Sequence, residues 1–136
     1  MMTTHYLIDY ESIQPRQLED GIDSDTTITL FIGPHQHRLP IELVMRMQAL
    51  GERGRYVKIE RAGKNALDFH LAFYLGELAS RDPQACYRIL SKDSGFDSLI
   101  EHLQARGLDS ARLECEDSAR TPLDAESIGT RPPVGS

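Results

Sequence analysis

The pattern of apolar and polar positions changes period several times along the chain. HYLIDY (5–10) is a short apolar run that ends on a carboxylate. TTITLFIG (26–33) is rich in β-branched residues and stops at Gly-Pro, a strand followed by a turn. RYVKIE (55–60) alternates with the period of a strand. ACYRIL (85–90) reads as a buried strand and ARLECE (111–116) as a last one. Helical spacing fills the intervals. Pro15 opens a short helical stretch through Leu18 to Gly21. Pro40 suits a first helical residue, and apolar positions recur at 43, 44, 47 and 50 before Gly51 and Gly54. Asn65 is placed to cap a helix whose stripe is Leu67, Leu71, Tyr74, Leu75 and Leu78. FDSLIEHLQARG (96–107) is a helix closed by Gly107.

Five strands separated by four helices predict an α/β fold, a parallel sheet with helices on both faces. At 136 residues the chain is long enough for one domain with its own core. Residues 1–116 carry the pattern. Residues 117–136 are rich in Ser, Pro and Gly and read as a disordered or loosely docked tail. No stretch approaches the roughly 20 apolar residues of a membrane span, and none resembles a signal peptide, so a cytoplasmic protein is expected. Cys86 and Cys115 are too few for a disulfide framework and lack zinc spacing, so they are expected to be buried, reduced thiols.

In an open parallel sheet, ligands bind beyond the carboxyl ends of the strands. The residues just past each strand are therefore the informative ones. Asp9, Glu11 and Ser12 come after the first, and His35, His37 and Arg38 after the second. Arg61, Gly63, Lys64, Asn65 and, one turn on, Asp68 come after the third. Ser91, Lys92, Asp93 and Asp97 come after the fourth. Asp68 shares a helical stripe with Leu71, Ala72, Leu75 and Ala79, so it leans inward, where a carboxylate needs a partner. Singly, each acid has a bland reading: a capping box for Asp68, a turn for Asp93, a helix-dipole partner for Asp97. Together they repel unless neutralised. A divalent cation is the simplest neutraliser, and oxygen-only ligands favour Mg²⁺ or Mn²⁺. Such an ion suits phosphodiester hydrolysis.

Other motifs fail on inspection. Gly63-Lys64-Asn65 resembles the end of a phosphate-binding loop, but Lys58 stands where the upstream glycine is required. His35-x-His37 fits a polar loop better than a metal pair. Phe69, Phe73, Tyr74 and Phe96 are expected in core and helix packing rather than as a platform for stacked bases.

Three blocks then stand in order: IDYES after the first strand, KNALDFHLAFYLGELA in the middle, SKDSGFDSLI after the fourth. In this order they resemble PIN-like nuclease domains, in particular a small bacterial group related to the NYN branch with an IDxEN…KNALDF…SKDxGFD pattern. The resemblance covers residues 5 to about 116. It implies a three-layer α/β/α sandwich with parallel strand order 3-2-1-4-5, which sets Asp9 and Asp93 across a crevice from each other. It also implies that Asp9, Asp68, Asp93 and Asp97 are the catalytic acids and metal ligands, that Glu11 touches the ion or its water, and that Ser91 is the hydroxyl beside Asp93. Ser12 stands where that group has asparagine.

The resulting expectation is a Mg²⁺- or Mn²⁺-dependent ribonuclease acting on single-stranded RNA. Asp9, Asp93 and Asp97 would hold one ion, and Asp68 a second ion or the attacking water. Ser12, Ser91 and Asn65 would orient the ligands. Arg38, Arg61, Lys64 and Lys92 would hold flanking phosphates. PIN-like domains often pair, so the resemblance also admits a homodimer. Two other readings stay open: a catalytically silent module that binds RNA or protein, and a haloacid-dehalogenase-type phosphatase built on Asp9-x-Glu11 and Asp93-x-x-x-Asp97.

The distribution of charge along the chain matters more than its sum. The formal net charge is −6, from 21 acids and 15 Lys and Arg, which by itself argues against a generic nucleic-acid coat. Four or five of those acids belong to the acidic edge, while Arg53, Arg55, Lys58, Arg61 and Lys64 gather around the third strand as a basic flank.

Overall fold

The computed structural model describes residues 3–15 and 25–114. The helix expected from Pro15 to Gly21 and the 117–136 tail lie outside the described residues, apart from Pro15 itself. The elements run β1 (Thr4–Asp9), β2 (Thr26–Ile32), α1 (Ile41–Leu50), β3 (Gly54–Lys58), α2 (Ala66–Arg81), β4 (Cys86–Leu90), α3 (Asp97–Ala105) and β5 (Asp109–Leu113). All five strands are parallel, in the order β3-β2-β1-β4-β5. The fold is the expected α/β sandwich.

The strands read as continuous apolar runs because the sheet is covered on both faces. Tyr6, Ile8, Ile28, Leu30 and Ile32 pack with Leu43 and Met47 of α1. Leu7, Phe31, Tyr87 and Ile89 pack on the other face with Leu67, Leu71 and Leu75 of α2 and Ile100 of α3. One residue of register thus decides which layer each β1 side chain joins. The amino end of the sheet is fastened by His5, whose ring nitrogens lie 2.6 Å from Thr27 Oγ1 and 3.3 Å from Asp82 Oδ2. Its ring stacks on Tyr87 at 4.9 Å, and the Tyr87 hydroxyl donates to the Asp82 carbonyl at 2.7 Å. The carboxyl end opens instead into a cleft.

Element ends differ from the sequence reading in informative ways. α3 begins at Asp97, after a 3₁₀ turn over Ser94–Phe96, because the Asp93 side chain accepts from Gly95 N–H at 2.8 Å and closes that turn. Gly107 has φ +92°, a conformation that L side chains rarely adopt, and it turns the chain early enough for β5 to pair from Asp109 rather than from residue 111. Asn65 precedes α2 but makes no side-chain cap. It sits instead at φ +61°, the left-handed conformation that asparagine tolerates better than most residues, so the cap expected of Asn65 does not form, and the bland capping-box reading of Asp68 loses its Asn65 half. Cys86 is half-buried rather than buried, and its thiol donates to Asp109 Oδ2 at 3.1 Å. Cys115 lies outside the described residues.

Candidate active site

β1 and β4 lie side by side in the middle of the sheet, and their partnering ends with Ile8 opposite Leu90. The next residues, Asp9 and Ser91, therefore leave the sheet together. Both are buried, Asp9 at 4% exposure. Ser91 Oγ–H donates to Asp9 Oδ2 at 2.9 Å, and the same oxygen accepts from Asp93 N–H at 3.0 Å. The hydroxyl thus ties the first aspartate to the loop that carries the third. Asp9 Oδ1 accepts from Ser12 N–H at 3.2 Å, and Ser12 Oγ accepts from Lys92 N–H at 2.7 Å. Ser12, the departure from the family pattern, is in this way a second strut between the β1 and β4 loops.

A cleft of about 270 Å³ opens above these residues, lined by Asp9, Glu11, Ser12, Gly63, Asn65, Ala66, Leu67, Asp68 and Asp93. Four of the five expected acids therefore meet there. Burial raises the Asp9 pKa against the hydrogen bonds from Ser91 and Ser12. Asp68, half-buried at the start of α2, is pushed up to about 6 by burial first, then by the charge of Asp93 and a side-chain hydrogen bond with it, with smaller contributions from Asp9 and Glu11. Among the described residues, the ion pairs include none of Asp9, Glu11, Asp68 and Asp93. The cleft is an uncompensated acidic edge. Its all-oxygen, anionic donor set fits a hard divalent cation. Among the described residues no three His, Cys, Asp or Glu side chains stand in a ready-made ligand set, so the four acids share the cleft without converging on a point.

Asp97 is placed differently. It does not line the cleft. Arg112 of β5 grips it with both ends of the guanidinium, Nε to Oδ1 at 2.7 Å and Nη2 to Oδ2 at 3.2 Å. That grip holds its pKa below the usual carboxylate range. Arg112 Nη1 also donates to the Ser91 carbonyl at 3.0 Å and to Glu114 Oε2 at 2.6 Å. Asp97 thus braces the Ser91 backbone through Arg112. The signal for this was a guanidinium within a strand, where charge requires a partner.

Gly33 also escaped the sequence reading. A Cβ there would overlap the Glu11 carboxylate, so the bare glycine at the end of β2 makes the space Glu11 occupies. Its N–H donates to Gln36 Oε1 at 2.8 Å, and Lys58 Nζ donates to the carbonyls of Gly33 and Pro34 at 2.8 and 3.1 Å. Lys58 is therefore partly consumed in holding this loop, and Arg53 likewise donates to the Thr26 carbonyl at 3.0 Å. The basic flank is reduced by both. Arg38, Arg61, Lys64 and Lys92 are exposed on the loops of the carboxyl edge, and Lys64 stands between two cleft-lining residues. His35 and His37 are exposed in the loop after β2.

Of the four aromatic residues expected in packing, Phe96 is buried and Tyr74 lies against the core. Phe69 and Phe73 are 69% and 63% exposed. They occupy the outer side of α2, because Leu67, Leu71 and Leu75 already fill the inner one.

The chain matches the PIN domain family model PIN7 over residues 3–113. It belongs to the PIN domain family, whose members are generally nucleases that act on nucleic acid and typically use divalent metals. No curated protein and no solved structure matches it. Among the described residues, no helix is long and apolar enough to cross a membrane. Nothing in the family membership favours the phosphatase reading.

Proposed function

We propose that this PIN domain is a Mg²⁺- or Mn²⁺-dependent ribonuclease that hydrolyses phosphodiester bonds of single-stranded RNA. The observation that carries the reading is that Asp9, Glu11, Asp68 and Asp93 line one cleft at the carboxyl end of a parallel sheet. Asp9, Asp68 and Asp93 would hold the ion, with Glu11 beside them. A bound divalent ion supplies polarisation of the phosphate and acidification of a bound water. The remaining work falls to the chain itself. Ser91 and Ser12 hold the buried Asp9 carboxylate in one orientation. Asp68, at the start of α2, would bring a further carboxylate to the ion from the far side of the cleft from β1. Asp97 acts through Arg112 as a positioning residue for Ser91. Lys64, Arg61, Arg38 and Lys92, exposed on the loops of the carboxyl edge, would hold flanking phosphates.

A panel of end-labelled single- and double-stranded RNA and DNA, incubated with Mg²⁺ or Mn²⁺, tests this. Single-stranded RNA is cut by the wild type and not by Asp9→Asn. Cleavage that survives the substitution overturns the assignment. A second reading, a silent binding module, draws on Ser12 and on the pairing of Asp97 with Arg112. Calorimetric titration of Mn²⁺ into wild type and Asp93→Asn separates the two. Absent or identical binding selects the silent module.

A further inference from the structure

Phe69 and Phe73 have no role in the core and no role in the acidic cleft. We propose that they form a stacking platform for the bases of a single-stranded nucleic acid leaving that cleft, an inference that rests on the nuclease reading. Three observations carry it. The first is position: Asp68 lines the cleft and Phe69 follows it in the first turn of α2, so one helical turn carries both a cleft-lining acid and an exposed ring. The second is spacing. Phe69 and Phe73 are four residues apart on α2, one above the other, with a rise of about 6 Å between them. That is nearly twice the 3.4 Å per nucleotide of a stacked strand, so the two rings suit bases splayed apart, not a duplex. The third is charge. Phe73 meets Tyr74 edge-on at 5.1 Å, and the Arg55 guanidinium lies 5.2 Å over the Tyr74 ring. Arg55 is exposed, and exposed Lys64 lies just before the first turn of α2. Exposed rings on the helix that supplies a cleft-lining acid, with exposed cations beside that helix, match the composition of single-strand grooves, in which aromatic faces take bases and basic residues track the backbone. The centre of a protein–protein interface is instead depleted of charge.

The test is fluorescence anisotropy with 5′-labelled 12-mers of single-stranded RNA and DNA in EDTA, which stops cleavage. The proteins are the wild type, Phe69→Ala/Phe73→Ala and Phe69→Tyr/Phe73→Tyr. The alanine pair binds at least tenfold more weakly, since each stacked base contributes a factor of that order. The tyrosine pair binds as the wild type does. Comparison of the RNA and DNA arms shows which strand the platform prefers. Equal binding by the alanine pair overturns the platform, as does a wild type that binds neither strand. A wild-type dimer that becomes monomeric in the alanine pair on sedimentation also overturns it and makes the face a self-association surface. Mn²⁺-dependent hydrolysis of bis(p-nitrophenyl) phosphate, which has no base to stack, is unchanged in the alanine pair. Hydrolysis with equal oligonucleotide binding rejects the platform alone. No hydrolysis by the wild type rejects the nuclease reading.

Discussion

Removing the charge of Asp68 should stabilise the metal-free protein at neutral pH. Asp68 titrates near 6 in the folded protein, against an ordinary value of 3.8, chiefly because burial and then Asp93 oppose its ionised form. The folded state therefore holds its proton more tightly than the unfolded state does. Well below pH 3.8 both states are protonated and nothing is lost. As pH rises through 3.8 towards about 6 the unfolded state releases its proton first, and stability falls. Above about 6 the full penalty is present and constant. Two units at roughly 1.4 kcal/mol each give a ceiling near 3 kcal/mol. The side chain is only half-buried, and screening by solvent reduces the expected penalty to about 1 kcal/mol.

Asp68→Asn keeps the shape and deletes the charge. In EDTA at pH 7 the variant should exceed the wild type by about 1 kcal/mol, or roughly 4 °C in Tm for a domain of this size. The advantage should shrink through pH 6 and 5 to a small remainder at pH 4, just above the ordinary value of 3.8. Asp97, lowered, titrates alike in both proteins and cancels in the difference, whereas Asp9 interacts with Asp68, so loss of that repulsion in the variant adds to the gain. Urea unfolding at pH 4, 5, 6 and 7 measures it. Saturating Mn²⁺ should reverse the ranking, because an ion at one hundred times its Kd stabilises the protein that binds it by about 2.7 kcal/mol. A variant less stable than the wild type at pH 7, or a difference that does not change with pH, would refute the argument that Asp68 is held in an electrostatically unfavourable place.

The same geometry sets three further outcomes. Ser91→Ala removes the hydroxyl that joins Asp9 to Asp93 inside a buried site, so it should cost about 1–3 kcal/mol in urea unfolding and lower the cleavage rate. Gly33→Ala should displace Glu11 and weaken Mn²⁺ binding by calorimetry, with the circular dichroism spectrum preserved. Arg112→Gln should cost about 1–2 kcal/mol, since it breaks the two-pronged grip on Asp97 and the tie to the Ser91 carbonyl. The lost Asp97 partnership should also raise that carboxyl's pKa, readable by NMR titration.

The sheet, the layers and the acidic edge were legible because each rests on a local pattern with a physical cause. Strands buried on both faces must be apolar throughout, and Leu67, Leu71 and Leu75 must recur at helical spacing to cover them. A parallel sheet then brings the residues past its strand ends to one edge, which is how Asp9, Asp68 and Asp93 could be grouped before any distance was known. The strand order itself came from the family resemblance, since alternation alone permits several orders. The features that the sequence concealed depend on register and partner choice. Asp97 has the same spacing in either role, and only the position of Arg112 on the neighbouring strand decides between cleft and brace. Phe69 and Phe73 lie off the stripe that periodicity marks as the buried side of α2, and only their size and apolar character suggested packing, which the structure does not give them. Gly33 carries no side chain to attract notice, and its importance is the volume it leaves to Glu11.

The carboxylates of this domain separate by what compensates them, and that separation locates the function. Asp82 faces His5, Asp109 faces Arg88, and Asp97 faces Arg112. Each of these acids has an ordinary structural partner. Asp9, Glu11, Asp68 and Asp93 face one another. Structure alone does not call for such crowding, because an Arg or an Asn at any of these positions would relieve it. The hydrogen bonds around the cleft are, moreover, arranged to maintain it. Ser91 and Ser12 hold Asp9 at the edge, Gly33 leaves Glu11 its place, and Asp97 is spent through Arg112 on keeping Ser91 still. On the proposed reading, a divalent cation is the ligand that completes these four devices. The stability gained on adding Mn²⁺, and lost with Asp68→Asn, is therefore the most direct measure of what the cleft is for.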